Sequence, residues 1–178
     1  MRKLILYIAT SLDGKIAGPD DEVKWLEEIP NPDKSDYGYF DFYAGVDTTI
    51  MGNMTYQWIK RQDMPFPYPD TQNYVITRNT SLQDNHEVTF LSKGIAGRIR
   101  ELKKEEGKDI WMIGGAGVNQ FCLDAGLIDE MRVFVMPIIL GEGVPLFSEG
   151  YDRRQVRLTS STAYSSGVCE LRYGLNAD

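Results

Sequence analysis

Apolar residues in this chain fall into short runs, alternately strand-sized and helix-sized, with glycine, proline and charge between them. The run Leu4–Ala9 is continuous enough to predict a buried strand. A loop rich in Gly, Pro and Asp follows over Thr10–Asp21, then one short helix over Glu22–Glu28. Pro30 and Pro32 break the chain again, and Asp33 or Ser35 is placed to cap a helix through Gly45. Tyr39, Phe40 and Tyr43 would form its inner face. Thr48–Met51 predicts a strand, and Met54–Lys60 a helix entered from Gly52. Three prolines between Met64 and Pro69 remove backbone donors, so that stretch is neither helix nor central strand. Strands are predicted at Tyr74–Thr77 and Val88–Leu91, and an amphipathic helix at Ile95–Glu106, closed by Gly107. Strand Ile110–Ile113, helix Val118–Ala125 and strand Met131–Ile139 come next. Two last strands lie near Val156–Ala163 and Gly167–Tyr173, joined by the turn Ser165-Ser166-Gly167.

Alternating strands and helices that finish as antiparallel strands predict an α/β fold with a mixed sheet covered by helices. The 178 residues show no repeat, low-complexity stretch or linker. A single domain over 1–178 is expected, large enough for a substantial core.

Charge narrows the partners. A formal net charge of −7 disfavours a nucleic-acid ligand, because a polyanion needs a basic face. Any bound anion must therefore be held by backbone donors and a few placed cations. Cys122 and Cys169 lack metal-ligand spacing, so buried thiols in a reducing cytoplasm are expected and no metal is. The opening apolar run is too short for a signal or membrane segment. His86 stands in the polar turn Asp84–Glu87 and reads as surface. The apolar stretch Val133–Ile139 would permit a homodimer.

Chemistry concentrates at three places where an apolar strand runs into glycine or polar residues. The strand ending Ile113-Gly114-Gly115-Ala116-Gly117-Val118 leads directly into a helix. Free N–H groups and the helix dipole at such a junction favour a phosphate or pyrophosphate. A tight packing turn is the competing reading. The Rossmann pattern fits badly, since Gln120 stands where its third glycine would be. The other two junctions are Met51-Gly52-Asn53-Met54-Thr55 and Ile76-Thr77-Arg78-Asn79. Ligands gather at the C-terminal ends of strands in α/β sheets, so all three could meet one elongated ligand. Gly52 and Thr55 would contact phosphate, and Arg78 would supply the charge that a 2′-phosphate needs. Asp36, beside aromatics that would exclude water, is a candidate carboxylate with a raised pKa and a proton to give. The plainer reading of Asp36 is an acid stabilising a helix N-terminus.

In this order, Ile8-Ala9-Thr10-Ser11-Leu12-Asp13-Gly14 with Ile16, Ile50-Met51-Gly52-Asn53-Met54-Thr55, Val75-Ile76-Thr77-Arg78 and Ile113–Gly117 resemble the motifs of dihydrofolate reductase-like proteins. Ser11-Leu12-Asp13-Gly14 and Pro137–Phe147 are closer to the reductase domain of the bifunctional riboflavin-pathway deaminase/reductase. The resemblance implies a three-layer fold with about eight mostly parallel strands and NADPH across the sheet's C-terminal edge. It implies that Ala9 and Ile16 flank the nicotinamide. Gly52, Asn53, Met54 and Thr55 would hold one side of the pyrophosphate. Ile113, Gly114, Gly115, Ala116, Gly117 and Val118 would hold the other. Thr77 and Arg78 would take the 2′-phosphate. Ser11, Asp36 and Phe40 would bind substrate, with Asp36 as catalytic acid, sixteen residues before Gly52. A cis peptide is implied between Gly114 and Gly115. Asn53 stands where the family motif has arginine, and Phe134 where a threonine supports the substrate acid.

The activity implied is NADPH-dependent reduction of a planar nitrogen heterocycle, most like 5-amino-6-(5-phosphoribosylamino)uracil reductase. Dihydrofolate reductase is one alternative, and a non-catalytic NADP(H)-binding protein is another. The expected partner is a small heterocyclic substrate, without nucleic acid or membrane.

Overall fold

A computed structural model describes residues 1–148, 150 and 152–175. Among the described residues, ten strands and four α-helices come in the order β1 (Leu4–Thr10), β2 (Lys15–Ala17), α1 (Tyr39–Ala44), β3 (Val46–Gly52), α2 (Asn53–Arg61), β4 (Gln72–Ile76), β5 (Thr89–Leu91) and α3 (Ile95–Leu102). They continue with β6 (Asp109–Gly114), α4 (Ala116–Asp124), β7 (Glu130–Val135), β8 (Val144–Pro145), β9 (Arg157–Ala163) and β10 (Cys169–Gly174). Eight strands form one sheet in the order β5-β4-β3-β6-β1-β7-β10-β9, and β2 with β8 forms a small second sheet.

The five pairings from β5 across to β7 are parallel, and β10 alone runs against its neighbours β7 and β9. The hydrophobic pattern explains this. β1 and β6 are largely apolar on both faces, as strands buried between helices tend to be, and β3 is buried likewise with Thr48 and Thr49 beside Ile50 and Met51. Leu4, Leu6, Ile50, Ile110 and Met112 face one layer and are fully buried. Each contributes roughly 1.5–3 kcal/mol of transfer free energy. On the opposite face Ile5, Phe42, Val46 and Trp111 form a second cluster beneath α1.

Several predicted boundaries move. The helix expected from Asp33 or Ser35 begins only at Tyr39, because Lys34, Tyr37 and Gly38 take positive φ and cannot continue a helix. The segment Glu22–Glu28 holds one turn of 3-10 helix, Lys24–Leu26. The strand expected to reach Ile139 stops at Val135, where Pro137 ends its pairing. β7 lies between β1 and β10, so Val133 and Phe134 are buried in the chain's own core. Among the described residues no helix is long and apolar enough to cross a membrane.

A candidate nucleotide and substrate cleft

The parallel strands β4, β3, β6 and β1 are adjacent, so Ile76, Gly52, Gly114 and Thr10 end along one edge of the sheet. A cleft of about 1200 Å³ opens along that edge. Two helices begin at it. Gly52 precedes α2 and Gly115 precedes α4, and neither helix has a side-chain cap. Their first N–H groups therefore lack the partner that serine or aspartate would supply, and both carry the positive end of a helix dipole.

The glycines make this geometry possible. A Cβ on Gly52 would lie 3.1 Å from Cγ2 of Val118, and one on Gly115 would lie 3.3 Å from Oγ1 of Thr55. The two helix starts are thus in contact through their smallest residues. A Cβ on Gly117 would meet nothing within 4 Å, so this glycine faces open space. Asn53 Oδ1 is buried and lacks a hydrogen-bond partner among the described residues. This arrangement fits a pyrophosphate: two sets of unspent donors, an open glycine and no carboxylate among the residues that build it.

Of the cofactor residues predicted, Ala9, Ile16, Gly52, Asn53, Met54, Thr55, Thr77, Arg78, Ile113, Gly115, Ala116, Gly117 and Val118 all line the cleft. Gly114 lies just behind it, with φ of +115° and its Cα side against Asn119 and Ile8. Thr77 is buried and its Oγ1 accepts the Asn79 amide at 3.0 Å, which turns the chain sharply after β4. Arg78 follows that turn, is exposed, and pairs with no carboxylate among the described residues.

One expectation is corrected outright. Among the described residues there is no cis peptide bond, including between Gly114 and Gly115. Both glycines instead adopt positive φ, +115° and +74°, and the chain turns with trans peptides that only glycine accommodates readily.

Asp36 differs from its expected environment too. Its side chain is exposed, and its carboxylate accepts the amides of Phe40 and Gly38, each at 3.0 Å. These bonds hold its pKa below the ordinary carboxylate range rather than above it. Asp36 is outside the cleft lining, as are Ser11 and Phe40. Ser11 is buried within its own loop, where Oγ donates to Asp13 at 2.7 Å and accepts the Lys15 amide at 2.9 Å. Phe40 is 71% exposed and rests edge-on against Tyr39.

Sequence reasoning missed the cleft's aromatic wall. Tyr7, Trp111 and Tyr68 line it together, with ring centroids 6.0 Å apart for Tyr7 and Trp111 and 5.1 Å for Tyr68 and Trp111. Strand periodicity offered a signal, because Tyr7 shares a face with Ala9, and Trp111 with Ile113. Tyr7 stacks on Phe42 at 4.1 Å, and the Arg132 guanidinium sits 5.2 Å above the same ring. Arg132 is itself bound to buried Glu170 at 2.8 Å. Burial raises the Tyr7 phenol's pKa well beyond its ordinary range; Arg132 opposes this and Glu170 adds to it. Burial does the same to Tyr68. Both stay protonated hydrogen-bond donors at any physiological pH. The Cys122 thiol is pushed up to about 12 by burial and is inert. His86 is 90% exposed at its side chain, as its polar turn implied.

The sheet order, the paired glycine junctions and the cleft define a dihydrofolate reductase-like fold. Residues 2–170 match the RibD C-terminal domain, and the chain belongs to that family. It is 41% identical over 173 residues to the uncharacterized protein YwjB of Bacillus subtilis (strain 168), covering 97% of each chain. A protein of Shewanella sp. PV-4 with a provisional riboflavin-biosynthesis name superposes with a TM-score of 0.87 at 29% identity, covering 98% of this chain and 99% of the other. Dihydrofolate reductase from Enterococcus faecalis, solved with NADP(H) and RAB-propyl, superposes at 0.67 with 15% identity, covering 98% and 97%. That last likeness concerns the fold alone.

Proposed function

We propose that this chain is an NADPH-dependent reductase acting on a planar nitrogen heterocycle. The observation that carries the reading is the convergence of two uncapped helix N-termini, with Arg78 nearby, on a cleft walled by aromatic rings. In this reading Gly52–Thr55 and Gly115–Val118 hold the pyrophosphate through backbone donors. Thr77 and Arg78 hold the 2′-phosphate and set the preference for NADPH over NADH. Ala9 and Ile16 flank the nicotinamide. When bound, NADPH supplies the hydride. The chain supplies shape, water exclusion and hydrogen-bond donors along the Tyr7–Trp111–Tyr68 wall.

The family supports the reaction class, and riboflavin-pathway pyrimidine reduction is the described activity we favour for it. Two free cysteines, one buried, suit a reducing compartment, so we place the enzyme in the cytoplasm.

The test is a thermal-shift titration of the purified protein with NADPH and NADH, followed by loss of nicotinamide absorbance over a heterocycle panel. Stabilisation at concentrations about tenfold lower for NADPH is expected, since ligand binding raises the melting temperature by mass action. Binding without oxidation of NADPH by any heterocycle would make this a non-catalytic NADP(H)-binding protein. No stabilisation by either nucleotide would overturn the reading.

A further inference from the structure

The substrate end of the cleft carries a chemical signature of its own. Tyr7, Trp111 and Tyr68 form a contiguous wall there, with Leu26 and Trp58 also lining the cleft. Charge is almost missing. Among the described residues, Arg78 and Asp21 are the only charged side chains that line the cleft. Arg78 follows β4, two strands beyond β6 and three beyond β1, which bear Trp111 and Tyr7. Asp21 lies in the loop between β2 and α1, and its negative charge opposes an anion.

The nearest cation to the wall is already committed. Arg132 lies over the Tyr7 and Phe42 rings, is 9% exposed, and is bound to Glu170 through both Nε and Nη2 at 2.8 Å. It does not line the cleft, and releasing it would take two hydrogen bonds from a buried carboxylate and leave Glu170 with Arg172 as its remaining partner, at 2.9 and 3.1 Å. Nothing along the wall can therefore neutralise a phosphate or a carboxylate.

What the wall does offer is two phenol hydroxyls. Neither the Tyr7 nor the Tyr68 hydroxyl makes a hydrogen bond to another described residue, although both rings are largely enclosed. A flat ring between aromatic faces, with a carbonyl or ring nitrogen at its edge, satisfies both features at once.

We propose that the substrate is an uncharged planar ring, lying against Trp111 and accepting hydrogen bonds from Tyr7 and Tyr68, and not a phosphorylated or carboxylated heterocycle. The inference rests on reading the cleft as a reductase site, and names the substrate class that site would take.

Lumazine is a suitable uncharged probe at mildly acidic pH. Uridine monophosphate and folate are its anionic counterparts. Each is titrated by calorimetry into the protein with and without saturating NADPH, so the result stands whatever the nucleotide does. Lumazine is expected to bind at least tenfold more tightly than either anion. Tyr7→Phe, which keeps the ring and its stacking, is expected to weaken lumazine by about tenfold while NADPH affinity stays within about twofold. Tyr68→Phe, on a different segment, is expected to weaken lumazine as well.

The inference is overturned if either anion binds as tightly as lumazine, if lumazine does not bind, or if both variants bind it like wild type. Selective lumazine binding without any NADPH binding would uphold the uncharged pocket and overturn the reductase reading instead.

Discussion

Gly52 and Val118 set the distance between the two helices that begin at the cleft. A Cβ on Gly52 would stand 3.1 Å from Cγ2 of Val118, closer than side chains normally pack. Gly52 has φ of −78°, so its backbone would accept alanine without strain. The cost of Gly52→Ala therefore lies in pushing α2 and α4 apart. We expect a loss of about 1 kcal/mol in stability by urea melt, as for mild overpacking. NADPH affinity should fall about tenfold, because the displaced N–H groups no longer share one phosphate-sized space.

Gly115 and Gly117 separate backbone need from ligand space. Gly115 adopts φ +74° and ψ 145°, a region open essentially to glycine alone. Gly115→Ala should cost about 1–3 kcal/mol of stability. Gly117 has open space where its Cβ would be, and its place in the first turn of α4 suits alanine. Gly117→Ala should therefore leave the urea midpoint unchanged or slightly raised, yet weaken NADPH by filling that space. Equal losses of stability in the two variants would contradict this division.

Arg78 is exposed and outside any ion pair among the described residues, so its removal leaves no buried charge behind. Arg78→Gln should leave the melting temperature of the unliganded protein unchanged. NADPH binding should weaken by about tenfold, one lost charge-assisted contact, while NADH binding stays constant. Parallel titrations of the two nucleotides check this, and an equal loss for both would remove Arg78 from the 2′-phosphate.

Much of the glycine-lined half of the cleft was legible in the sequence, because each junction combines two local signals. An apolar strand ends at glycine, and a helix begins one or two residues later, as in Met51-Gly52-Asn53 and Ile113–Val118. Such geometry is set by neighbours along the chain. The aromatic half was not legible in the same way. Tyr7, Trp111 and Tyr68 come from two strands and a proline-rich loop, and meet only through the order β3-β6-β1. Asp36 misled for a related reason. Its aromatic neighbours in sequence turn elsewhere once Tyr37 and Gly38 adopt positive φ, leaving the carboxylate in solvent.

Asp36 accepts two amides at the start of α1, and its lowered pKa gives the sign of its pH dependence. The ionised carboxylate favours the folded state above its ordinary titration range, and that contribution disappears as pH falls through the depressed folded value. Asp36→Asn should melt below wild type at neutral pH, with the gap closing in acid. A carboxylate already ionised at neutral pH has no proton to deliver, so turnover with any accepted heterocycle should stay within about twofold of wild type. A large fall in kcat with unchanged melting would restore Asp36 to the chemistry.

Asp13 ties the loop after β1 to the loop after β7. Its carboxylate accepts Ser11 Oγ at 2.7 Å, the Leu140 amide at 3.0 Å and the Gly141 amide at 2.8 Å. These bonds lower its pKa from 3.8 to about 2, with Ser11 the largest cause. Because the folded value is depressed, the tie is complete above the ordinary carboxylate range and is lost only as pH falls toward the folded value. The loop it secures leads into β2, which carries Ile16 and Ala17 to the cleft wall. Asp13→Ala removes the acceptor of all three bonds and frees that wall to move away. We expect faster limited proteolysis within residues 11–18 at neutral pH and a several-fold weaker NADPH affinity. In wild type the same protease sensitivity should emerge only near the acid limit, between about pH 4 and pH 2 with an acid-active protease. A wild-type loop that loosens at a pH well above 4 would show that some other group holds it.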